Sequence, residues 1–109
     1  MKMHLDSVAY EAVVSGNKTI EMRLNDEKRR ELKVGDIIEF TNRATKETLK
    51  AKVIELHVYK NFEELYKHHD KVSLGYKENE IASPSDMRKY YSFEDTIKYG
   101  VVGIEIEVI

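Results

Sequence analysis

Two segments of the chain alternate apolar and polar side chains residue by residue, and this period restricts both to strands with one buried face. The apolar positions are Ile20, Met22 and Leu24 in the first segment and Val102, Ile104, Ile106 and Val108 in the second. Because the backbone N–H and C=O groups of a strand pair with those of a neighbouring strand, we expect a β-sheet to form the scaffold of the molecule.

Turn and capping signals divide the rest of the chain into further short elements. We expect strands at Lys2–Leu5, Ile37–Thr41 and Thr48–Tyr59, and helices at about 6–15, 61–68, from Pro84 onward and at 92–100. Asn61 starts a capping box, and Gly16 and Gly100 stand just past two helix ends, where glycine is favoured. The charged stretch 26–31 is expected to be a solvated turn or a single helical turn. Five strands with helices between them indicate one α+β domain over residues 1–109, with a partly closed β-barrel.

The polar face of the first strand is the strongest candidate for a ligand site. Lys18, Thr19, Glu21 and Arg23 lie within six residues, and the turn at Gly16 is expected to set Lys18 at the mouth of the strand. Side chains two residues apart on a strand lie about 7 Å apart, so Arg23 can bridge to Glu21 or both can bind one planar polar ligand. The alternative is a buried structural pair that fixes the barrel.

The order of motifs in the chain resembles a known family. Gly-x-Lys-Thr-Ile-Glu-x-Arg over residues 16–23, Val34–Phe40 and Lys98–Ile106 are together similar to the ASCH (activating signal cointegrator homology) domain family. The resemblance implies a PUA-like, partly closed barrel of five to six strands decorated with helices. It also implies a cleft lined by the first motif and RNA or a nucleoside-like small molecule as the ligand.

The same resemblance leaves two enzymatic alternatives open. One branch of the family resembles an acetylcytidine amidohydrolase that uses a lysine, a threonine and a distant glutamate, and other members resemble ribonucleases. Lys18 matches the lysine, but Glu21 stands at the threonine position and the distant glutamate is not placed. If the protein is an enzyme, Lys18 and Glu21 are the expected catalytic residues. A neighbouring carboxylate favours a charged, ligand-binding lysine, so we rank binding above amide hydrolysis.

Further candidates lie in the second half of the chain. Arg88, Lys89, Tyr90 and Tyr91 form a basic and aromatic patch that could stack a base and hold its phosphate, although solvated helix surface is an equal alternative. The weakly periodic polar segment within 70–90 is interpreted as a lid over the cleft. Four aromatic residues, Tyr59, Phe62, Tyr66 and Tyr76, are expected to pack in the core or under this lid.

The histidines do not indicate a metal site. Adjacent His68 and His69 point in different directions, and no second cluster at ligand spacing would complete a tetrahedral site, so we expect neither a metal nor a cofactor. His4 and His57 are interpreted as half-buried packing residues.

Charge and composition limit the partners. The net charge of −2 argues against binding by bulk electrostatics, although residues 1–60 carry +2 and residues 61–109 carry −4. This balance suits a nucleotide or a short single strand, and the net acidity keeps a protein-interaction module as a third alternative. Cysteine is absent and the first residues lack an apolar run. We therefore expect a cytoplasmic protein with no membrane partner, as a monomer or weak dimer.

Overall fold

Five strands form a single sheet in the computed structural model, which describes all residues from 1 to 109. The strands are β1 (Lys2–Leu5), β2 (Ile20–Leu24), β3 (Ile37–Asn42), β4 (Thr48–Tyr59) and β5 (Val101–Val108). Their spatial order is β1-β3-β4-β5-β2, with β1 and β3 parallel and the other neighbours antiparallel. The α+β prediction is confirmed, and each predicted strand matches the observed one to within a residue at either end.

Short helices connect the strands. They are α1 (Ser7–Val14), α2 (Glu27–Arg30), α3 (Phe62–His68), a 3₁₀ helix (Pro84–Lys89) and α4 (Phe93–Tyr99). The Asn61 and Ser92 side chains accept hydrogen bonds from backbone N–H groups in the first turns of α3 and α4, as their capping signals predict. Asp6 precedes α1 without a side-chain cap bond. The stretch 26–31 does contain a single helical turn, capped by the Asp26 side chain. No helix has the length and apolar character needed to cross a membrane.

The two faces of β2 pack against different groups of apolar side chains. Ile20, Met22 and Leu24 join a cluster that includes Leu65 of α3 and Leu74. The other face is set by register, because Glu21 lies opposite Ile104 and Arg23 opposite Val102 on β5. Directly paired residues share a face, and Ile104 and Val102 belong to the larger core, which also contains Tyr10 and Val13 of α1. Glu21 and Arg23 therefore point toward the main core.

The sheet curls so that its two edge strands approach each other. β1 and β2 are the outer strands of the sheet, yet Nη2 of Arg23 in β2 donates a 2.9 Å hydrogen bond to the backbone carbonyl of His4 in β1. A side chain, and not a ladder of backbone hydrogen bonds, joins the edges at this point. The predicted partly closed barrel is thus confirmed as a half-barrel of five strands.

Removing a side chain from the main core should lower stability sharply. Ile104 is 0% exposed, whereas Ile81 is 90% exposed, so the two positions test burial with the same chemical change. We expect Ile104→Ala to lower the free energy of unfolding by about 2 to 5 kcal/mol. Ile81→Ala should change it by less than about 0.5 kcal/mol. Urea titrations of both variants would check this, and equal effects would contradict the assignment of the core.

Candidate functional site

The backbone that precedes β2 is held between α1 and a segment from the second half of the chain. Gly16 adopts a φ of +84°, which allows the chain to reverse after α1. The Lys18 N–H then donates to the Ala12 carbonyl at 3.0 Å. The N–H groups of Thr19 and Ile20 both donate to the Ser73 carbonyl, at 3.0 and 2.9 Å. Lys18 and Thr19 thus have a fixed backbone position beside residue 73.

The Glu21 carboxylate joins the two basic residues of the motif. One oxygen, Oε1, lies 3.2 Å from Nζ of Lys18. The other, Oε2, accepts hydrogen bonds from Nε and Nη2 of Arg23 at 3.0 and 2.7 Å. Lys18 and Glu21 are both 6% exposed. The three side chains form a mostly buried cluster with two positive charges and one negative charge.

The surrounding cations keep Glu21 ionised in spite of its burial. Burial by itself would raise the pKa of the Glu21 carboxyl. The charges of Lys18 and Arg23 and their hydrogen bonds outweigh this effect, so the pKa falls below its ordinary value. Burial likewise opposes the charge of Arg23, and Glu21 outweighs that effect and raises the pKa of the guanidinium. The cluster therefore carries a net positive charge at neutral pH.

The Lys18 ammonium group is covered by the chain itself. Nζ of Lys18 donates a 3.0 Å hydrogen bond to the Leu74 carbonyl. Gly75 packs on the same side chain, and a Cβ added to Gly75 would lie 3.1 Å from Cδ of Lys18. Lys18 lies just before the start of β2, as predicted, but its side chain is only 6% exposed because Leu74 and Gly75 cover it. The segment interpreted as a lid does lie over the motif, and its movement stays a prediction.

A cleft of about 650 Å³ lies on the outer side of this covering peptide. It runs between α1 and residues 72–78. Its walls include Ser7, Glu11 and Asn17 on one side and Gly75 and Tyr76 on the other. Since Gly75 lines the cleft and also packs on Lys18, it lies between the cleft and the charged cluster.

The predicted basic and aromatic patch is divided by the structure. The half-buried Tyr91 lies near the charged cluster, because burial raises the pKa of its hydroxyl and the positive charge of Arg23 opposes the rise. Arg88 is exposed and lines a different groove. Tyr90 is 54% exposed and lies under the Lys89 ammonium, 5.1 Å from the ring centroid.

Two contacts of the cluster were missed by the sequence analysis. They are the backbone carbonyls of His4 and Leu74, which accept hydrogen bonds from Arg23 and Lys18. Every residue carries such a carbonyl, so no sequence signal distinguishes these two. Their role depends only on where the chain passes in the folded state.

His68, the last residue of α3, and His69, which follows it, lie against side chains of β4. The Tyr59 hydroxyl lies 2.9 Å from Nε2 of His69, and the Tyr59 ring stacks on His68 at 5.2 Å. His57 is half-buried as predicted, and its Nε2 lies 2.9 Å from a Glu105 oxygen. His4 is exposed, so the prediction of a half-buried packing role is wrong for that residue. No group of three His, Cys, Asp or Glu side chains is arranged to hold a metal ion.

The tyrosines of the predicted packing group do pack as expected. Tyr59, Tyr66 and Tyr76 are partly buried against the cluster that contains Phe62 and Leu65. The Tyr76 hydroxyl also donates a 2.7 Å hydrogen bond to a carboxylate oxygen of Asp86. The segment over the motif is therefore tied both to α3 and to the 3₁₀ helix.

Comparison with known proteins identifies the family. The model of the ASCH domain matches residues 3–109. The chain belongs to the ASCH domain family. No similar protein was found among curated sequences.

Solved structures agree with the ASCH assignment. This ASCH domain is similar to the crystal structure of hypothetical protein PH0355, with 38% identity, a TM-score of 0.83 and coverage of 99% of this chain and 97% of that one. It is also similar to the solution structure of protein PF0455 from Pyrococcus furiosus, with 31% identity, a TM-score of 0.69 and coverage of 100% and 98%. The S128A mutant of ZmASCH from Zymomonas mobilis shares the fold at 16% identity and a TM-score of 0.71, over 97% of this chain and 66% of that one.

Neutralising Glu21 should destabilise the domain. In Glu21→Gln, two buried cations would lose their counter-charge, and we expect the free energy of unfolding to fall by about 3 to 5 kcal/mol. The same change at the exposed Glu107 of β5 should cost less than about 0.5 kcal/mol. Urea titration at neutral pH measures both, and a Glu21→Gln protein as stable as the wild type would show that the cluster is not held by this charge.

Acidification should lower the stability of the folded protein through protonation of His69. Burial, together with the charges of His57 and His68, lowers the pKa of His69, and Glu105 only partly opposes this. The unfolded chain therefore binds the proton more readily than the folded one, so stability should fall as the pH drops from above 6.5 through the folded-state pKa. We expect the difference in melting temperature between pH 7.5 and 5.5 to be smaller in His69→Gln than in the wild type. An equal difference in the two proteins would contradict this role of His69.

Proposed function

We propose that this ASCH domain binds RNA or a nucleoside-like molecule at the buried cluster of Lys18, Glu21 and Arg23. The observation that supports the proposal is the convergence of these three charges beneath a cleft, with one positive charge in excess. Buried charge is costly, and a cluster of this kind is more common at functional sites than elsewhere. ASCH domains are thought to bind RNA, and the phosphate and carbonyl oxygens of RNA are suitable acceptors for cationic side chains.

Each residue of the motif has a proposed part in binding. Lys18 now donates to a peptide carbonyl, so a phosphate or base carbonyl oxygen of the ligand would occupy the same position. Glu21 would accept from a base N–H group, and Arg23 would orient Glu21 through its two hydrogen bonds. The half-buried Thr19 would contact the ligand at the entrance.

Binding at this site requires that the covering peptide move. Residues 72–78 form one wall of the outer cleft, and Leu74 and Gly75 lie between that cleft and Lys18. We propose that these residues act as a lid and that the ligand exchanges with the Leu74 carbonyl. The observed affinity would then be reduced by the cost of opening.

The contacts of Lys18 favour binding over hydrolysis. A lysine that attacks an acyl group must be neutral, and an adjacent ionised carboxylate stabilises the ammonium form instead. Glu21 is such a carboxylate, 3.2 Å from Nζ of Lys18. Glu21 also replaces the threonine of the amidohydrolase branch, so amide hydrolysis ranks second.

An NMR titration of labelled protein tests the proposal. The ligands would be a single-stranded hexaribonucleotide, cytidine and acetylcytidine, with free acetate followed in the last case. We expect saturable shifts at the amides of residues 18–23 and 73–76, with faster amide exchange at 73–76 when the lid opens. Acetate release would assign amidohydrolase activity instead. No shift with any ligand would overturn the proposal and favour a protein partner.

Replacing Lys18 by an apolar side chain of similar length should reduce binding strongly. Lys18→Met removes the donor while Glu21 keeps both hydrogen bonds from Arg23, so we expect affinity for the bound ligand of that titration to fall at least about tenfold, the effect of a charge-assisted hydrogen bond. Lys50→Met, at an exposed position on β4, provides the matched control and should bind as the wild type does. Melting temperatures of both variants separate loss of binding from loss of folding, and an unchanged affinity of folded Lys18→Met would reject the assigned role.

A further inference from the structure

A second groove, of about 330 Å³, lies between α3, the 3₁₀ helix and α4. Its walls combine apolar side chains with two exposed basic residues, Lys60 and Arg88. No part of the Lys18, Glu21 and Arg23 cluster lines it. The groove is therefore a concave surface separate from the motif site, and the proposed binding at the motif gives it no role.

The apolar part of the groove presents an aromatic ring to solvent. Phe93, the first residue of α4, and Ile97, one turn later, are each 68% exposed. Behind them, the rings of Phe62 and Tyr91 stack on each other with centroids 6.1 Å apart and planes inclined by 16°. A rigid aromatic wall with an exposed ring at its edge suits a flat, apolar partner such as a nucleobase.

The charged part of the groove suits a phosphodiester backbone. Lys60 and Arg88 both line it, against a single acidic residue, Glu63. The balance is positive in a chain whose net charge is −2, so the groove differs in sign from the molecule as a whole. Proteins that bind single-stranded nucleic acids combine basic side chains with exposed aromatic rings, because the rings stack on the bases and the basic groups neutralise the phosphates.

Tyr91 places the groove next to the motif. Its ring lines the groove, and its hydroxyl lies close enough to Arg23 for the guanidinium to act on it. A ligand in the groove and a ligand at the motif would thus lie on two sides of one side chain. A single strand of several nucleotides could reach both positions, whereas a single nucleoside could occupy only one.

We propose that this groove stacks an unpaired nucleobase against Phe93 while Lys60 and Arg88 hold the flanking phosphates. The inference rests on the proposed function and narrows its ligand to single-stranded RNA that extends beyond one nucleotide. Duplex RNA does not fit, because its bases are stacked on each other and closed to an aromatic side chain.

Fluorescence anisotropy with 5′-labelled hexauridylate tests the stacking step. Phe93→Ala should weaken binding about fivefold or more, the loss expected for one base stacked on an aromatic ring. Phe93→Tyr keeps a ring and should bind within about twofold of the wild type. Ile81→Ala, which truncates an apolar side chain that is 90% exposed and outside the groove, should have no effect. Wild-type affinity in Phe93→Ala would overturn the proposal.

The salt dependence of the same binding tests the phosphate contacts. Arg88→Gln should reduce the slope of log K against log salt by about 0.7, the value for one phosphate contact to a single strand. Lys98→Gln removes the same charge from an exposed position on α4 that does not line the groove, and it should leave the slope unchanged. Equal slopes in the two variants would remove Arg88 from the interface.

The variants separate failure of this inference from failure of the proposed function. If Lys18→Met loses hexauridylate and Phe93→Ala does not, the motif site stands and the groove proposal falls. If the wild type binds no RNA, both fall. Analytical ultracentrifugation of the wild type and Phe93→Ala tests whether a second copy of the chain occupies the groove instead of RNA. A dimer that dissociates in the variant, with RNA affinity unchanged, would assign the groove to a second copy of the chain and overturn the inference.

Discussion

The buried carboxylate of Glu21 is the contact on which the arrangement of the domain depends. Through Arg23 it connects β2 to the His4 carbonyl at the opposite edge of the sheet, and through Lys18 it connects β2 to the Leu74 carbonyl. A buried charge is tolerated only when it is paired and hydrogen-bonded, so these connections must form together. The closure of the half-barrel and the position of the covering segment therefore have a common cause.

This dependence couples stability to the proposed function. The residues that would bind a ligand already form hydrogen bonds and ion pairs with one another and donate hydrogen bonds to two backbone carbonyls. A ligand at Lys18 must replace the hydrogen bond to Leu74, and any change in Glu21 alters folding as well as binding. Gly75 fits this arrangement, since its φ of +109° and its close approach to Lys18 both disfavour a larger residue.

The helical part of the molecule adds a second surface without disturbing the first. α3, the 3₁₀ helix and α4 pack on the side of β2 that carries its apolar residues, so their groove and the charged cluster lie on opposite sides of one strand. Tyr91, just after the 3₁₀ helix, contributes its ring to the groove and its hydroxyl to the surroundings of Arg23. One strand thus separates two surfaces with different chemistry.

The strands, most helices and the proximity of Glu21 and Arg23 could be predicted from the sequence, because alternation, capping residues and spacing along a strand are local properties. The burial of Lys18 could not, since it depends on a peptide 56 residues away in the chain. Long-range packing likewise places Tyr91 near the cluster and leaves Tyr90 54% exposed. Residue-by-residue alternation is enough to assign which side chains share a face of β2. Whether that face is open or covered depends on the curl of the sheet and the path of residues 72–78, which follow from long-range packing.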